Sequence, residues 1–588
     1  MVTGRRRLVI SCLLTAPVVI WAVVPASQLD YWAWVSLALS LTVVFGAGWP
    51  VHSGAAQSAR RGRVTTDTLA SATTVAVLGL SLHALILGDL RDPAARQPWL
   101  PLAHPWWTAA DAGGTDRAYF EVAAVVTTVV LLGRYLGNRA GVPPGEVGWP
   151  TAKSEPPSAA SPRVASQDDF APRHHPCGAF VPSMLLVSTL TAGLWLTFGA
   201  THQAAITAAV AVLVVACPGV LALGVATALL AGARRSAQQG IRIRHPAVLT
   251  AATRIDTVVM SKTGTVTTGH MQLTALLSAR HGGDQYAEPS LLRLAGSLET
   301  GSAHPIGRAI VAAAQEAFGS HSGRLPQPQN VRQHDGMGVS GDVEGHRVIV
   351  GRQRFMTACG VDLPDAVRDL LTEAQNHGST TVLVAIDGAF SGVLILSDTV
   401  QESSTEALEV LTRLGVEPLL LTGDNEGAAR RAAAAVGIGT VVADAPPQEK
   451  VALVKTLQAQ GRAVAVIGDC VEDAAALVQA DLAIGRGVDP GGGTTADPVG
   501  AGITVARGDL RSAADAVLLC HRTLRTVRTS IFLTWTYYAA ATPLAAFGLL
   551  NPSAASAVMV LAGFGVVARS SRLGRCQMAG PRRPTLTE

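Results

Sequence analysis

Across residues 233–525, apolar runs end again and again in short polar clusters. Asp256–Met260 leads into Ser261-Lys262-Thr263-Gly264-Thr265. Pro418–Leu421 leads into Thr422-Gly423-Asp424, and Ala463–Ile467 into Gly468-Asp469-Cys470-Val471-Glu472-Asp473. Leu482–Ile484 precedes Gly485, and Val382–Ile386 and Val393–Leu396 precede Asp398. Hydroxyls, carboxylates and glycines gathered at the C-terminal ends of strands form the ligand mouth of a doubly wound parallel sheet. Lysine is scarce: Lys153, Lys262, Lys450 and Lys455 are the only four in 588 residues. A thiol chemistry is also conceivable at Cys217-Pro218-Gly219, inside an apolar stretch. Cys217 alone reads equally as a soft-metal ligand or as a small buried apolar residue. His174-His175 with Cys177 reads as a juxtamembrane metal clip or, more simply, as solvated residues of a Pro-rich linker. Seven cysteines without a CxxC pair exclude a disulfide scaffold and a zinc ribbon.

The elements that must position these residues are of two kinds. Between the strand-like runs of the polar region lie helical stretches, and 270–376 has strands and helices of its own, which makes it an insertion into the sheet domain. Outside that region the chain is apolar: 48% hydrophobic residues and 15% charged, against about 25% charged in a soluble protein. A bilayer span needs about 20 mostly apolar residues. Eight segments qualify: Leu8–Pro25, Tyr31–Val51, Thr66–Leu87, Tyr119–Leu136, Phe180–Phe198, Ala204–Ala231, Ser530–Leu549 and Ala554–Ala568. Arg5–Arg7, Arg60-Arg61-Arg63, Arg134/Arg139, Arg234-Arg235 and Arg569/Arg572/Arg575 then fall on one side, which predicts a multi-pass cell-membrane protein with both termini and the large domains cytoplasmic. A net charge of +4 over this length excludes a nucleic-acid partner.

Ser261-Lys262-Thr263-Gly264-Thr265-Val266-Thr267 resembles the phosphorylation loop of P-type ATPases, which reads Asp-Lys-Thr-Gly-Thr-Leu-Thr. Cys217-Pro218-Gly219, Ser302-Ala303-His304-Pro305, Gly336-Met337-Gly338-Val339-Ser340-Gly341, Thr422-Gly423-Asp424, Lys450 and the Gly468–Asp473 motif follow in the order of the heavy-metal-translocating (P1B-type) branch. The resemblance implies a fold: a multispan α-helical membrane protein with a cytoplasmic haloacid-dehalogenase-like α/β domain and an inserted α+β nucleotide-binding domain. It divides the chain into spans at 1–136, 179–232 and 526–573, a linker at 137–178, a phosphorylation domain at 233–269 and 377–525, a nucleotide domain at 270–376, and a tail at 574–588. It also implies roles. Residue 261 is the place of the phosphorylated Asp. Lys262 and Lys450 neutralise phosphoryl charge, with Thr263 beside them in the loop, and Thr422 and Gly423 position phosphoryl oxygens next to Asp424. Asp469, with Asp473 in the same region, holds Mg²⁺. Glu299, His304, Gly336, Gly338 and Gly351 match the ATP positions. Cys217 and Met559 match residues that bind the transported Cu⁺ or other heavy-metal ion. The partners so implied are the lipid bilayer, ATP and a soft metal ion.

Departures from the family pattern bear on activity. Ser261 replaces the Asp, and a Ser hydroxyl is un-ionised at neutral pH and gives a stable phosphate ester rather than a labile anhydride. Cys470 and Glu472 replace a Gly and an Asn. The family's actuator domain, with its Thr-Gly-Glu, should lie between the fourth and fifth spans. Here Gly137–Gly178 is rich in Pro, Gly, Ser and Ala and too short for a domain core. Gly219 replaces a second Cys, Tyr537-Tyr538 stands where the family has Tyr-Asn, and Ala562 and Gly563 replace two serines. Two readings follow: a degenerate pump that binds ATP without completing a transport cycle, and a working metal-exporting ATPase with atypical catalytic residues.

Overall fold

A computed structural model describes residues 2–24, 31–87, 118–140, 176–279, 288–302, 305–318, 325–334, 337–376, 379–423, 426–468, 473–486, 502–506 and 509–573. The apolar segments form helices α1 (Val2–Val23), α2 (Trp32–Leu41), α3 (Trp49–Arg60), α4 (Thr66–Leu87), α5 (Phe120–Arg139), α6 (Pro176–Thr197), α7 (His202–Val215) and α8 (Gly219–Gln238). After the polar region come α18 (Leu510–Ala546) and α19 (Pro552–Leu573). Their outer faces keep large apolar side chains uncovered, among them Leu13, Leu190, Phe532, Leu561 and Phe564, as expected where lipid is the solvent.

Among the described residues, six helical stretches are long and apolar enough to cross a membrane, and seven if α2 and α3 count as one bent span; the sequence pattern had suggested eight. The remaining segment, Ser530–Leu549, is the distal part of α18, where Thr, Tyr and Trp residues dilute the hydropathy. The α2–α3 pair bends by 55°. A π-helical turn at Thr42–Ala47 and Pro50 in the first turn of α3 frame the bend. Gly48 is obligatory there, since a Cβ would sit 2.3 Å from the Val44 carbonyl oxygen.

The polar region between α8 and α18 holds two sheets. The first has seven strands in the order β1 (Ile241–Ile243), β13 (Ile503–Val505), β12 (Leu482–Arg486), β11 (Val464–Gly468), β2 (Thr257–Ser261), β9 (Glu417–Leu421) and β10 (Thr440–Val442). All neighbours are parallel except the β1–β13 pair at the edge. Alternation along β2 sends Val258 and Met260 to one face and Val259 to the other. The first face packs on α9 (Ala247–Ala252), α14 (Glu402–Arg413), α15 (Glu426–Val436) and the start of α18, and the second on α16 (Pro447–Ala459) and α17 (Ala474–Gln479). Helices on both faces are the doubly wound arrangement read from the sequence.

The second sheet is antiparallel, in the order β3 (Thr267–Ser278), β8 (Ala389–Val400), β7 (Thr380–Ile386), β6 (His346–Gly351), β5 (Gly338–Val343) and β4 (Gln329–His334). One face is covered by α10 (Glu288–Leu298) and α11 (Pro305–Phe318), the other by α12 (Gln353–Ala358) and α13 (Asp365–Asn376). The runs at 382–386 and 393–396 belong to this sheet and not to the parallel one, because β8 pairs along its length with β3 and β7. Its strands therefore reach from Thr267 to Val400.

Candidate nucleotide and phosphoryl site

The central position of β2 puts Ser261 at the mouth of the parallel sheet. Ser261 is in register with Leu421 of β9, and Met260 with Ile467 of β11. The segments that follow, Lys262–Val266, Thr422-Gly423 and Gly468, therefore emerge side by side. Gly264 (φ +72°) and Gly269 (φ +71°) let the Ser261 loop fold back so tightly that a Cβ on Gly269 would lie 3.1 Å from the Gly264 Cα. Within the loop, Ser261 Oγ and Thr265 Oγ1 are 3.0 Å apart and hydrogen-bonded. Thr422 is buried and fixed by its backbone, its N–H donating to Val442 O (3.0 Å) and its carbonyl accepting from the Ala445 N–H (3.1 Å). Lys450, on the first turn of α16, donates from Nζ to Asp473 Oδ1 at 2.7 Å, with the two side chains only 13% and 6% exposed. Asp473 sits under the end of β11, where a Cβ on Gly468 would meet its Oδ2 at 2.3 Å.

Two crossings join this sheet to the second, and one carboxylate braces both. Asp398, near the end of β8, accepts hydrogen bonds from Thr267 Oγ1, Thr268 Oγ1 (3.2 Å) and the Gly269 N–H (3.1 Å). Ser404 Oγ donates to Val266 O (2.9 Å) and Gln401 Nε2 to Thr267 O (3.1 Å). In the second sheet, Gly338 and Gly351 face each other in register on β5 and β6. A Cβ on Gly338 (φ +156°) would lie 2.3 Å from Val350 O, and one on Gly351 2.5 Å from Met337 O. Strand approach alone thus demands both glycines. Glu299, in a single 3₁₀ turn after α10, is buried, and burial holds its carboxyl above the ordinary value despite a hydrogen bond with Ser302. Gly307 lets α11 descend on it: a Cβ there would lie 2.4 Å from Glu299 Oε2.

In the membrane, Cys217-Pro218 breaks the apolar stretch between α7 and α8. Cys217 and Met559 are fully buried in one apolar cluster. Tyr537 donates its hydroxyl to Val215 O (3.1 Å) and Tyr538 to Cys217 O (3.1 Å). At Gly219 a Cβ would meet Val129 Cγ1 of α5 at 2.7 Å.

Comparisons with known proteins bear on the whole chain. Residues 255–481 match the haloacid dehalogenase-like hydrolase family. A cation-transporting P-type ATPase B of Mycobacterium tuberculosis is 31% identical over 670 residues, covering 97% of this chain and 86% of that protein. This chain belongs to the heavy-metal P1B-type ATPases. A second relative from the same organism, a probable copper-exporting P-type ATPase V, is 34% identical over 612 residues, covering 92% of this chain and 78% of that protein. The crystal structure of a zinc-transporting PIB-type ATPase in its E2.Pi state shares the fold, with a TM-score of 0.70 at 22% identity over 98% of this chain and 100% of that one.

Within this P1B ATPase, the described structure gathers Ser261, Lys262, Thr263, Thr422, Gly423, Lys450 and Asp473 around the ends of β2, β9 and β11. Asp424, His304, Gly336 and Asp469 lie outside the described residues, as do His174, His175 and residues 141–175 of the connector. The carboxylate described at the strand ends, Asp473, is engaged by Lys450, and Ser261 offers a hydroxyl where a carboxylate would ligate Mg²⁺. Among the described residues no cluster of three or more His, Cys, Asp or Glu side chains could hold a metal. Sequence reading missed Glu121, buried in α5 and accepting a hydrogen bond from Ser553 Oγ at 2.7 Å. A lone acidic residue in an apolar run is itself a signal of intramembrane function. It also missed Gly307 and Val129, which no motif flags.

Proposed function

We propose that this P1B ATPase binds ATP but does not complete the phosphorylation and transport cycle of its relatives. The observation that carries this reading is the end of β2, where a Ser261 hydroxyl, hydrogen-bonded to Thr265, stands in the place of the family's carboxylate. A Ser hydroxyl is un-ionised at neutral pH, needs a base to attack a phosphoryl group, and forms a stable ester rather than a labile anhydride. The alignment with the ATPase B of M. tuberculosis adds support. It spans 670 residues against the 588 of this chain, so at least 82 positions are gaps here. Together with the Pro- and Ser-rich connector, this fits the loss of a domain-sized segment.

Glu299, Gly338 and Gly351 would hold the nucleotide beside His304 and Gly336. The tight glycine approach of β5 and β6 and the buried carboxyl near α11 give it a pre-formed wall. Bound ATP brings the phosphoryl chemistry. Lys262 and Lys450, the latter paired with Asp473, would neutralise its phosphoryl charge. Both sheets and both termini would lie on the cytoplasmic side, as the Arg clusters favour. The competing reading, an active copper or other cation exporter, is favoured by what the relatives are named for. Purified full-length protein in lipid, given γ-labelled ATP with and without Cu⁺ or Zn²⁺, separates the two. We expect nucleotide binding without an acid-stable phosphoenzyme and without metal-stimulated phosphate release. Sustained metal-dependent release overturns the proposal.

A further inference from the structure

The geometry at the helix break points to a membrane centre that is sealed, and this inference rests on the non-transporting reading above. We propose that Tyr538 and Val129 close the space in which a transported soft cation would be held, so that the Cys217 thiol is shut off from metal and from solvent. Three observations converge. First, the break at Pro218 leaves carbonyls at the end of α7 without donors from the next turn. Phenol hydroxyls meet two of them, Tyr537 on Val215 O and Tyr538 on Cys217 O, each at 3.1 Å. Polar groups at this depth that would otherwise favour a cation or water are thereby satisfied from within the protein.

Second, the Tyr538 ring is 3% exposed and wedged among Phe180 (centroids 4.9 Å), Tyr537 (5.2 Å) and Trp535 (6.2 Å). An Asn in its place would fill far less of that volume. Third, a second thiol at residue 219 would have to displace Val129. A Cβ at residue 219 would already be 2.7 Å from Val129 Cγ1, well inside van der Waals contact. The soft side chains described in this cluster are one thiol, Cys217, and one thioether, Met559, so no pair of thiolates is present to chelate Cu⁺. The substitutions at 219 and 538 thus act together: one removes a ligand and lets α5 close in, the other covers the carbonyl beside the remaining thiol.

The test uses the full chain in lipid nanodiscs, with N-ethylmaleimide as a thiol probe and Cu⁺ alone as the metal probe, competed by bicinchoninate. Cys359, exposed in the cytoplasmic region, is the internal reference, and mass spectrometry resolves the labelled peptides. We expect Cys359 to label while Cys217 stays protected in the wild type. Tyr538→Asn should raise the Cys217 labelling rate at least tenfold, and Tyr538→Phe, which keeps the ring and loses only the hydroxyl, should raise it by less. Wild type should bind no Cu⁺ that Cys217→Ser removes. Wild-type Cys217 labelling as fast as Cys359, equal protection in wild type and Tyr538→Asn, or a stoichiometric Cu⁺ lost in Cys217→Ser would each overturn the seal. Phosphate release by the wild type would overturn the non-transporting reading alone and would leave the labelling rates unchanged.

Discussion

Ser261 shows how much one side chain decides. The strand, register and glycine turns that present it match what a nucleophile needs, yet the group presented is a hydroxyl hydrogen-bonded to Thr265 and not a carboxylate. Other single residues carry separable consequences. Removing Lys450 leaves the Asp473 carboxylate buried without its cation, so Lys450→Met should destabilise the parallel-sheet unit by about 3 kcal/mol; thermal melts of the purified chain, compared with Lys450→Met/Asp473→Asn, check this, and the double variant should regain part of the loss. Glu299 gives a pH dependence. Burial raises its carboxyl above the ordinary 4.5, so folding favours the neutral form. The stability it contributes is fully present below pH 4.5 and is lost as pH rises through the folded value. Melting of the second sheet unit between pH 4.5 and 7 should fall with pH in the wild type, and the slope should flatten in Glu299→Gln. Gly338→Ala drives a methyl toward Val350 O and should cost about 2 kcal/mol through forced backbone movement, seen as a lowered melting midpoint with weakened ATP binding.

Elements explain which of these features could be read in advance. Strands β2, β9, β11 and β12 were legible because each is a short apolar run closed by polar residues, the pattern of a buried parallel strand. The runs at 382–386 and 393–396 carry the same local pattern but join the antiparallel sheet, since strand partnership is a long-range choice that local hydropathy does not encode. The helix break at Cys217-Pro218 falls inside a stretch read as one span, Ala204–Ala231, although proline chemistry accounts for it. Its phenol caps were not legible, because Tyr537 and Tyr538 lie more than 300 residues downstream. The place of Ser261 at a strand end followed from sequence, whereas the Lys450–Asp473 contact depends on how α16 sits over the sheet. The paired crossings between the sheets form an element of their own, tied by Asp398. Asp398→Ala removes the acceptor for Thr267, Thr268 and the Gly269 N–H; the two hydroxyls keep Lys262 O and Thr399 Oγ1 as partners, so the loss is about 1 kcal/mol, mainly from the Gly269 N–H. Limited proteolysis should then open new cleavage near Thr268 and Val400; an unchanged digest would show that the crossings hold without it.

At the scale of the whole molecule, the family's machinery must act as a unit, and the substitutions touch several of its parts. Ser261→Asp should restore slow phosphoenzyme formation at most, since Lys262 and Thr422 remain, but not metal-stimulated turnover; γ-labelled ATP with a parallel phosphate-release assay distinguishes the two. Turnover by that variant would mean that the connector suffices for coupling. Helix α18 sets a further condition. It runs without interruption from Leu510, in the core of the parallel-sheet unit, to Ala546 among the membrane helices. At 1.5 Å per residue it is a rod of about 55 Å, with Tyr538 roughly 42 Å from its cytoplasmic end. Pivoting the rod by roughly ten degrees about that end would carry Tyr538 through about 7 Å, far more than a 3.1 Å hydrogen bond to Cys217 O tolerates. A tilt of that size would have to break the phenol contacts, so the two tyrosines tie the far end of this long arm to the break between α7 and α8.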